Sequence, residues 1–442
     1  MATIGKIALA ILVVGLTVLT AGYLYVRHIV NHPDQYLPQA VAYLEQRTGK
    51  QIAIQRVQLS VWPVLRIRAY GVQVIDPKPF PPGDLLNIPE ADLAVRWTPL
   101  LRKTLVLSTV TLRRPVINFI NDPDGLWNFQ NRHAPGKQSN TLALGRIQKL
   151  KIVDGRLLGS ALIDPQDAPG PVVLDLRDFS ATLRHIDFST FSTGKQAHPI
   201  HGEFTAKAAR FGVVHTTDLK SHLELTASKL TFHQFTTQTH AGRAYGDFLI
   251  HYGQKKPSFS TTMHVDGIKV DYLLRQFHPG PPQMTGMLAA ALDLSGNLEY
   301  TKSPLSGIHG TGTFAIHQGE LPALNKDSKM QQLARFRTPN AKSLPVSAFS
   351  VFAGDLQLDS KQIASQRLNL DFYGIVLNGG GRFDELNDGM DYRATATIEK
   401  RQGFFMDLFA RLFKDAEVKN GRMVFPMKIT GTLDHPQIAI TD

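Results

Sequence analysis

Apolar and polar residues alternate one by one along most of the chain from Gln51 onward. The alternation is clear in residues 222–226, 313–317 and 423–429, and turn-forming pairs such as Asn420-Gly421 separate the runs. Successive side chains of a β-strand point to opposite faces, so this pattern predicts strands with one apolar and one polar face. The sequence therefore predicts a mainly β fold, built on a long antiparallel sheet with one face hidden from water.

Two architectures satisfy this alternation. Closed β-sandwiches need it for their cores, and an open, bent sheet needs it to keep one apolar face for a ligand. The periodicity is the same in both cases, so the two architectures remain open at this level.

A few segments predict helices. Residues 34–47 carry a helical stripe of Leu37, Ala40, Val41 and Leu44, and residues 271–277 and 327–336 fit two or three turns each. Residues 404–414 are rich in Phe and Leu on one helical face and charged on the other. Such a helix either closes the end of a sheet or lies on a membrane surface.

The stretch from Ile7 to Val26 contains no charged residue over 20 positions. A helix of that length spans the ~30 Å hydrocarbon core of a bilayer. The stretch exceeds the usual apolar region of a signal peptide and ends without a clear cleavage site. We therefore expect residues 1–28 to form an uncleaved single-pass anchor, with the bulk of the chain on the export side.

The charge is concentrated near this expected anchor. The chain has a formal net charge of +11, of which residues 1–150 carry +9. Anionic lipid headgroups explain such an excess beside a membrane, whereas no nucleic-acid-binding motif accompanies it. The candidate membrane-proximal basic residues are Arg56, Arg66, Arg68, Arg102 and Lys103.

The search for catalytic chemistry yields no motif. The chain has no cysteine, which excludes disulfides, Cys-ligated metals and a Cys nucleophile. No nucleophile elbow, phosphate-binding loop or His-Glu-x-x-His pair occurs, and 12 of the 16 histidines are spread between His185 and His317. We expect a non-enzymatic protein without catalytic, cofactor-binding or metal-ligating residues and without a cofactor.

Two series of short motifs occur in order along the chain. The amino-terminal motifs are Thr48-Gly49-Lys50, Trp62-Pro63, Gly71-Val72, Asp76-Pro77, Thr98-Pro99-Leu100-Leu101, Arg114-Pro115 and Asp124-Gly125-Leu126-Trp127-Asn128-Phe129. The carboxy-terminal motifs are Gly310-Thr311-Gly312, Phe352-Ala353-Gly354-Asp355-Leu356, Gly379-Gly380-Gly381-Arg382-Phe383-Asp384 and Pro426-Met427-Lys428-Ile429. In this order the motifs resemble those of the AsmA family of inner-membrane-anchored periplasmic proteins, which is related to bridge-like lipid transfer proteins with a repeating β-groove.

The resemblance implies four regions: a membrane anchor over 1–28, an AsmA-like amino-terminal module over 29–135, a central β region over 136–283 and an AsmA-like carboxy-terminal module over 284–442. It implies a location in the bacterial inner membrane with most of the chain in the periplasm. The implied role is the passage of phospholipid acyl chains along a hydrophobic β-groove in outer-membrane biogenesis. The implied partners are phospholipid, the inner membrane and other envelope proteins, without nucleic acid. The alternative is a non-enzymatic periplasmic scaffold that affects outer-membrane protein assembly or targeting.

Alternation and resemblance together predict an apolar groove lining in the central region. Each methylene group removed from water there would stabilise a bound acyl chain by ~0.8 kcal/mol. The candidate lining residues are Leu223, Leu225, Leu230, Phe232, Phe248 and Ile250.

Overall fold

The structure is a computed structural model. It describes residues 37–48, 50–61, 64–76, 80, 83–100, 104–121, 127–128, 143–161, 172–187, 199–212, 214–226, 228–239, 242–252, 258–277, 280–297, 307–360, 362–384, 389–399, 417–419, 422–432 and 435–440. The expected anchor over 7–26 and the amphipathic segment 404–414 lie outside these residues. None of the helices that can be described combines the length and the apolar character needed to cross a membrane.

The described chain is mainly β, as predicted, and it divides between Phe204 and Thr205 into two compact units. The division falls inside one strand, β8 (Ile200–Phe211). The four regions predicted from the resemblance, with boundaries at 28, 135 and 283, stay a prediction.

The first unit begins with helix α1 (Leu37–Thr48) and contains one further helical turn, α2 (Trp97–Leu100). Its strands are β1 (Ile52–Ser60), β2 (Leu65–Ile75), β3 (Asp84–Val95), β4 (Thr104–Arg113), β5 (Val116–Asn121), β6 (Ala143–Ala161) and β7 (Val172–Asp187). Strands β1 to β4 pair antiparallel in chain order, and β6 pairs antiparallel with β7.

Two pairings in the first unit are parallel, which the sequence did not predict. Strands β4 and β5 both pair parallel with β6, and Arg114, with a φ of 49°, separates β4 from β5. A parallel pair needs a crossover of a dozen residues or more. Residues 122–142 provide that length between β5 and β6.

A glycine explains why the alternation changes phase between Ile54 and Val57. Gly71 of β2, at the level of Gln55, has a φ of 62°, a conformation that favours glycine. Apolar side chains before and after this position, including Ile54 and Val57, therefore pack against the same buried cluster around Ala69, Ile88 and Ala91.

The second unit is a ladder of antiparallel strands in chain order. They are β9 (Val214–Leu225), β10 (Lys229–Thr239), β11 (Gly242–His251), β12 (Ser258–Lys269), β13 (Thr285–Asn297), β14 (Ile308–Glu320), β15 (Ala348–Asp359), β16 (Gln362–Asp371), β17 (Ile375–Asp384), β18 (Gly389–Glu399), β19 (Glu417–Lys419), β20 (Arg422–Thr432) and β21 (Pro436–Ile440). From β9 to β18, each strand pairs antiparallel with the next strand in sequence, and β20 pairs with β18, β19 and β21.

Short helices interrupt this ladder where the sequence predicts them. Helix α3 (Val270–Phe277) follows β12, and helix α4 (Ser328–Leu333) lies between 3₁₀ turns at Pro322–Lys326 and Ala334–Phe336. The Asp327 carboxylate caps α4 by accepting a 2.8 Å hydrogen bond from the backbone N–H of Met330.

Candidate functional site

The six predicted lining residues lie together on one face of the second unit's sheet. Residues directly opposite each other in a ladder share a face. The register forms the rows Leu225–Leu230–Ile250 and Leu223–Phe232–Phe248 across β9, β10 and β11. Leu223 is buried and the other five side chains are half-buried. The structure thus brings these residues into one apolar surface, which we call the apolar floor; their role as a lipid lining stays a prediction.

The apolar floor continues across the following strands. The ring of Phe248 stacks on Phe259 of β12 with centroids 5.7 Å apart, and it meets Phe232 edge-on at 6.4 Å. The two rows extend through Phe259, Gly296 and Ile308, and through Thr261, Leu294, Gly310, Leu358, Ile363, Phe383 and Met390. The surface is therefore apolar, with few interruptions, from β9 to β18.

Glycines allow large side chains to lie across this floor. A Cβ atom at Gly296 would stand 2.9 Å from the ring of Phe259, and one at Gly312 would stand 2.7 Å from Cδ2 of Leu292. The neighbouring side chain therefore occupies the place that a side chain at the glycine would take. This explains the Gly310-Thr311-Gly312 motif as a packing requirement of the floor.

Helices cover the part of this face formed by the later strands. Residues of α3, α4 and the 3₁₀ turn Pro322–Lys326 pack with the strands in one cluster, in which Phe349 and Phe425 are fully buried. The other buried members are Val270, Ile316, Leu324, Met330, Leu333, Leu370, Phe372, Ile375, Leu377, Ala396, Ile398, Met423, Met427 and Ile438. The same apolar face is thus packed as a core at one place and only half-buried at Phe232 and Phe248.

A buried arginine holds the loop that follows the helical cover. Arg337, 3% exposed, donates hydrogen bonds from its guanidinium to the carbonyls of Pro345 at 2.8 Å and Ala348 at 3.3 Å. Its cation lies 5.3 Å from the ring of Tyr373, and burial lowers its pKa. These contacts tie Arg337 to the segment that leads into β15.

The opposite, polar face of the same strands carries a shallow depression of about 530 Å³. Asp355 lines it and accepts hydrogen bonds on Oδ1 from the backbone N–H groups of Arg367 (2.8 Å) and Gln366 (3.0 Å) and from the Ser365 hydroxyl (2.8 Å). These bonds lower the pKa of Asp355 and fix the bulge between β15 and β16. The depression is separate from the apolar floor, and Asp355 of the Phe352–Leu356 motif has a structural role.

Three of the five predicted basic residues lie on one face of the first unit. Arg66 and Arg68 approach the Asp92 carboxylate at 3.4 and 3.6 Å, and Arg56 lies over the ring of Tyr70 at 4.7 Å. All three arginines are exposed. Arg102 and Lys103 lie outside the described residues.

Sequence reasoning missed a buried polar cluster around Asn128, which is fully buried. Its Nδ2 donates to Oδ1 of Asp76 (2.7 Å) and to the carbonyl of Asn118 (2.8 Å), while its Oδ1 accepts from the backbone N–H of Ile120 (3.1 Å). Lys50 Nζ donates to the Asn128 carbonyl at 2.7 Å. Burial raises the pKa of Asp76 and lowers that of Lys50. Lys50, Asp76 and Asn128 all occur in the amino-terminal motifs, and this was the available signal.

A second polar cluster joins β6 and β7. The side chain of Asp175, 3% exposed, accepts 3.2 Å hydrogen bonds from Arg156 and a 2.8 Å bond from Arg177. Burial opposes its ionisation, but the two arginines outweigh that effect and hold the pKa of Asp175 below its usual value.

The described histidines are dispersed, and some of them pair with carboxylates. His233 lies 3.4 Å from Glu224 and 3.5 Å from Asp247, and His309 lies 3.0 Å from Asp359. Among the residues that the structure describes, no group of three or more His, Asp or Glu is arranged to hold a metal ion.

Comparison with known proteins identifies one family. The model of the AsmA family matches residues 1–148, which confirms the resemblance stated from the amino-terminal motifs. The resemblance of the carboxy-terminal motifs stays a prediction. No curated protein and no solved structure gives a significant match.

Proposed function

Since residues 1–148 match the AsmA family, we propose that this protein shields and passes phospholipid acyl chains along its apolar floor in the bacterial envelope. The observation that carries the proposal is the register of β9 to β11, which places all six predicted lining residues in two adjacent rows. A broad apolar face that is half-buried, on which the side chains of Phe259 and Leu292 lie across glycines, offers acyl chains a surface removed from water.

The proposed transfer is passive. Each methylene group removed from water stabilises the bound acyl chain by ~0.8 kcal/mol, while the headgroup stays in solvent beside the sheet. No covalent step is required, so we propose a non-enzymatic role without a cofactor. We further propose a single-pass anchor in the inner membrane, with most of the chain in the periplasm and outer-membrane biogenesis as the process served.

A photo-crosslinking experiment in the full chain tests the proposal. p-Benzoylphenylalanine in place of Phe248 would lie on the apolar floor, and the same group in place of Tyr245 would lie on the opposite face of the same strand, where Tyr245 stacks on His264. After irradiation of intact membranes, we expect phospholipid adducts at position 248 and none at 245, as detected by mass spectrometry. Absence of lipid at 248, or equal adducts at both positions, would contradict the proposal.

A non-enzymatic scaffold is the second candidate function. The packed cluster around Phe349 and Phe425 favours it, because the apolar face is a closed core there. In that case position 248 would form protein adducts in place of lipid adducts. The same experiment therefore separates the two functions.

A further inference from the structure

The polar face of the first unit gathers basic side chains from distant parts of the sequence. One row of directly paired residues crosses six strands, Gln58–Arg68–Asp92–Thr111–Lys151–Thr182. Residues two positions away on the same strand share this face. The basic residues brought onto it are Arg56, Arg66, Arg68, Arg113, Lys149, Lys151 and Arg184.

Few acidic groups balance these charges. Asp92 serves both Arg66 and Arg68, and Glu90 lies 3.5 Å from Arg113. Lys149, Lys151 and Arg184 form no ion pair within the part of the chain that the structure describes. Seven cations therefore face two carboxylates on this surface, which we call the basic face.

The shape of the basic face is that of a broad array. Six adjacent strands at ~4.8 Å and three residue rows give a surface of about 24 by 14 Å. Its one aromatic group in these rows, Tyr70, is already covered by Arg56. A planar layer of anionic headgroups matches such an array, whereas single-stranded nucleic acid is usually held by exposed aromatic platforms.

We propose that the basic face of the first unit docks on an anionic phospholipid bilayer. This inference rests on the proposed function, because it names the surface by which the chain would lie against its source of lipid. It goes further by including Lys149, Lys151 and Arg184, which follow 90 or more positions after Arg56 and which no sequence motif marks. In the docked orientation, the opposite, apolar face of the same strands points away from the headgroups.

Lysine labelling in the full chain tests the proposal. The protein is reconstituted into vesicles of phosphatidylcholine alone or with about a third of phosphatidylglycerol, as for a charged leaflet. A membrane-impermeant amine reagent then modifies accessible lysines, which are read out by mass spectrometry. We expect slower labelling of Lys149 and Lys151 in the anionic vesicles and unchanged labelling of Lys326 and Lys342, which are exposed residues of the second unit.

The salt dependence of lysine labelling is the second test of the proposal. In 1 M sodium chloride the Debye length falls to about 3 Å, so protection of Lys149 and Lys151 should disappear. Equal labelling in both vesicle types, or protection that persists in high salt, would overturn the proposal. Protection by an added oligonucleotide on phosphatidylcholine vesicles, without any effect of phosphatidylglycerol, would overturn it in favour of nucleic acid.

Two substitutions should change the strength of docking on anionic vesicles in opposite directions. Lys149→Gln should weaken docking about fivefold. The measured effect is that Lys151 loses its protection from labelling at a lower salt concentration than in the wild type. Asp92→Asn removes the carboxylate shared by Arg66 and Arg68, so it should strengthen docking by a similar factor. Limited proteolysis checks that both variants are folded, and the Lys326→Gln variant is the matched control without effect. Lipid adducts at position 248 are measured independently, so failure of docking and failure of lipid shielding are distinguishable.

Discussion

Asn128 and Asp76 are 52 positions apart in the chain and are joined by a 2.7 Å hydrogen bond from Nδ2 of Asn128 to Oδ1 of Asp76. The same amide holds Asn118 and Ile120 of β5, so one buried side chain connects the ends of β2 and β5. Asn128→Ala leaves these groups without their partner, and we expect the free energy of unfolding of the first unit to fall by about 2–4 kcal/mol.

Denaturant unfolding followed by tryptophan fluorescence measures this loss, because Trp97 and Trp127 both belong to the first unit. Asn297→Ala, at an exposed position of β13, is the control and should leave the curve unchanged. An Asn128→Ala curve equal to that of the wild type would show that the Asn128 cluster does not hold the first unit together.

The raised pKa of Asp76 predicts a specific pH dependence. The native state binds the Asp76 proton more tightly than the unfolded chain, so this group adds stability below the unfolded pKa and loses that contribution as the pH rises through the native pKa. The wild type should therefore gain stability relative to Asp76→Asn as the pH falls from 7 towards 4. The denaturant midpoints of both proteins across this range measure the stability of the wild type relative to that of Asp76→Asn. If this relative stability fell as the pH was lowered, burial would not be the cause of the raised pKa of Asp76.

Asp175 should show the opposite dependence. Its native pKa is lowered by Arg156 and Arg177, so its contribution is present above the unfolded pKa and is lost as the pH falls through the native pKa. At neutral pH, Asp175→Asn should cost about 2 kcal/mol, and the gap to the wild type should narrow below a pH of about 4. Asp154→Asn, at an exposed position of β6 with a φ of 52°, provides the neutral comparison for the same unfolding measurement.

The two environments of the apolar face predict two responses to a buried charge. The pair Leu225→Asp and Phe232→Asp lies at half-buried positions, so we expect the chain to stay folded while lipid adducts at position 248 are lost. Phe425→Asp places a carboxylate at a fully buried position and should unfold the second unit. Limited proteolysis reports folding in both variants. Unfolding by the Leu225 and Phe232 substitutions would show that the floor is a closed core there as well.

Gly312 tests the packing of the floor. A Cβ atom there would lie 2.5 Å from the carbonyl oxygen of Ala291 and 2.7 Å from Cδ2 of Leu292. Gly312→Ala should therefore destabilise the second unit by about 1–3 kcal/mol, measured by hydrogen exchange of β13 and β14. At Gly280 a Cβ atom meets nothing within 4 Å, so Gly280→Ala should have little effect. Similar exchange rates in the two variants would contradict the close packing.

The local periodicities of the sequence were sufficient to predict strand faces and short helices. Leu223, Leu225, Leu230 and Phe232 share a face because the period of a strand is two and β9 pairs antiparallel with β10, with the backbone N–H of Thr226 donating to the carbonyl of Lys229 where the two strands meet. Helix α3 follows the predicted segment 271–277 within one residue, since its apolar spacing and flanking strands define it.

Long-range relationships could not be predicted in this way. The parallel pairing of β6 with β4 and β5 depends on a crossover, and the register that places Lys151 in the same row as Arg68 depends on every pairing between them. The Asn128 cluster joins Lys50, Asp76 and Asn118, which lie far apart in the sequence and share no local pattern. Burial of Asn128 is a property of the assembled sheet and is not encoded by its immediate neighbours.

Strand order in the second unit has a consequence for how such a chain can change in length. Because consecutive strands from β9 to β18 pair with each other, one hairpin could be inserted or removed with a change of pairing only at that point. Each added hairpin would extend the sheet by two strand spacings, about 10 Å. The width of the second unit's sheet would therefore change in steps of one hairpin, while the alternation of apolar and polar faces stays the same.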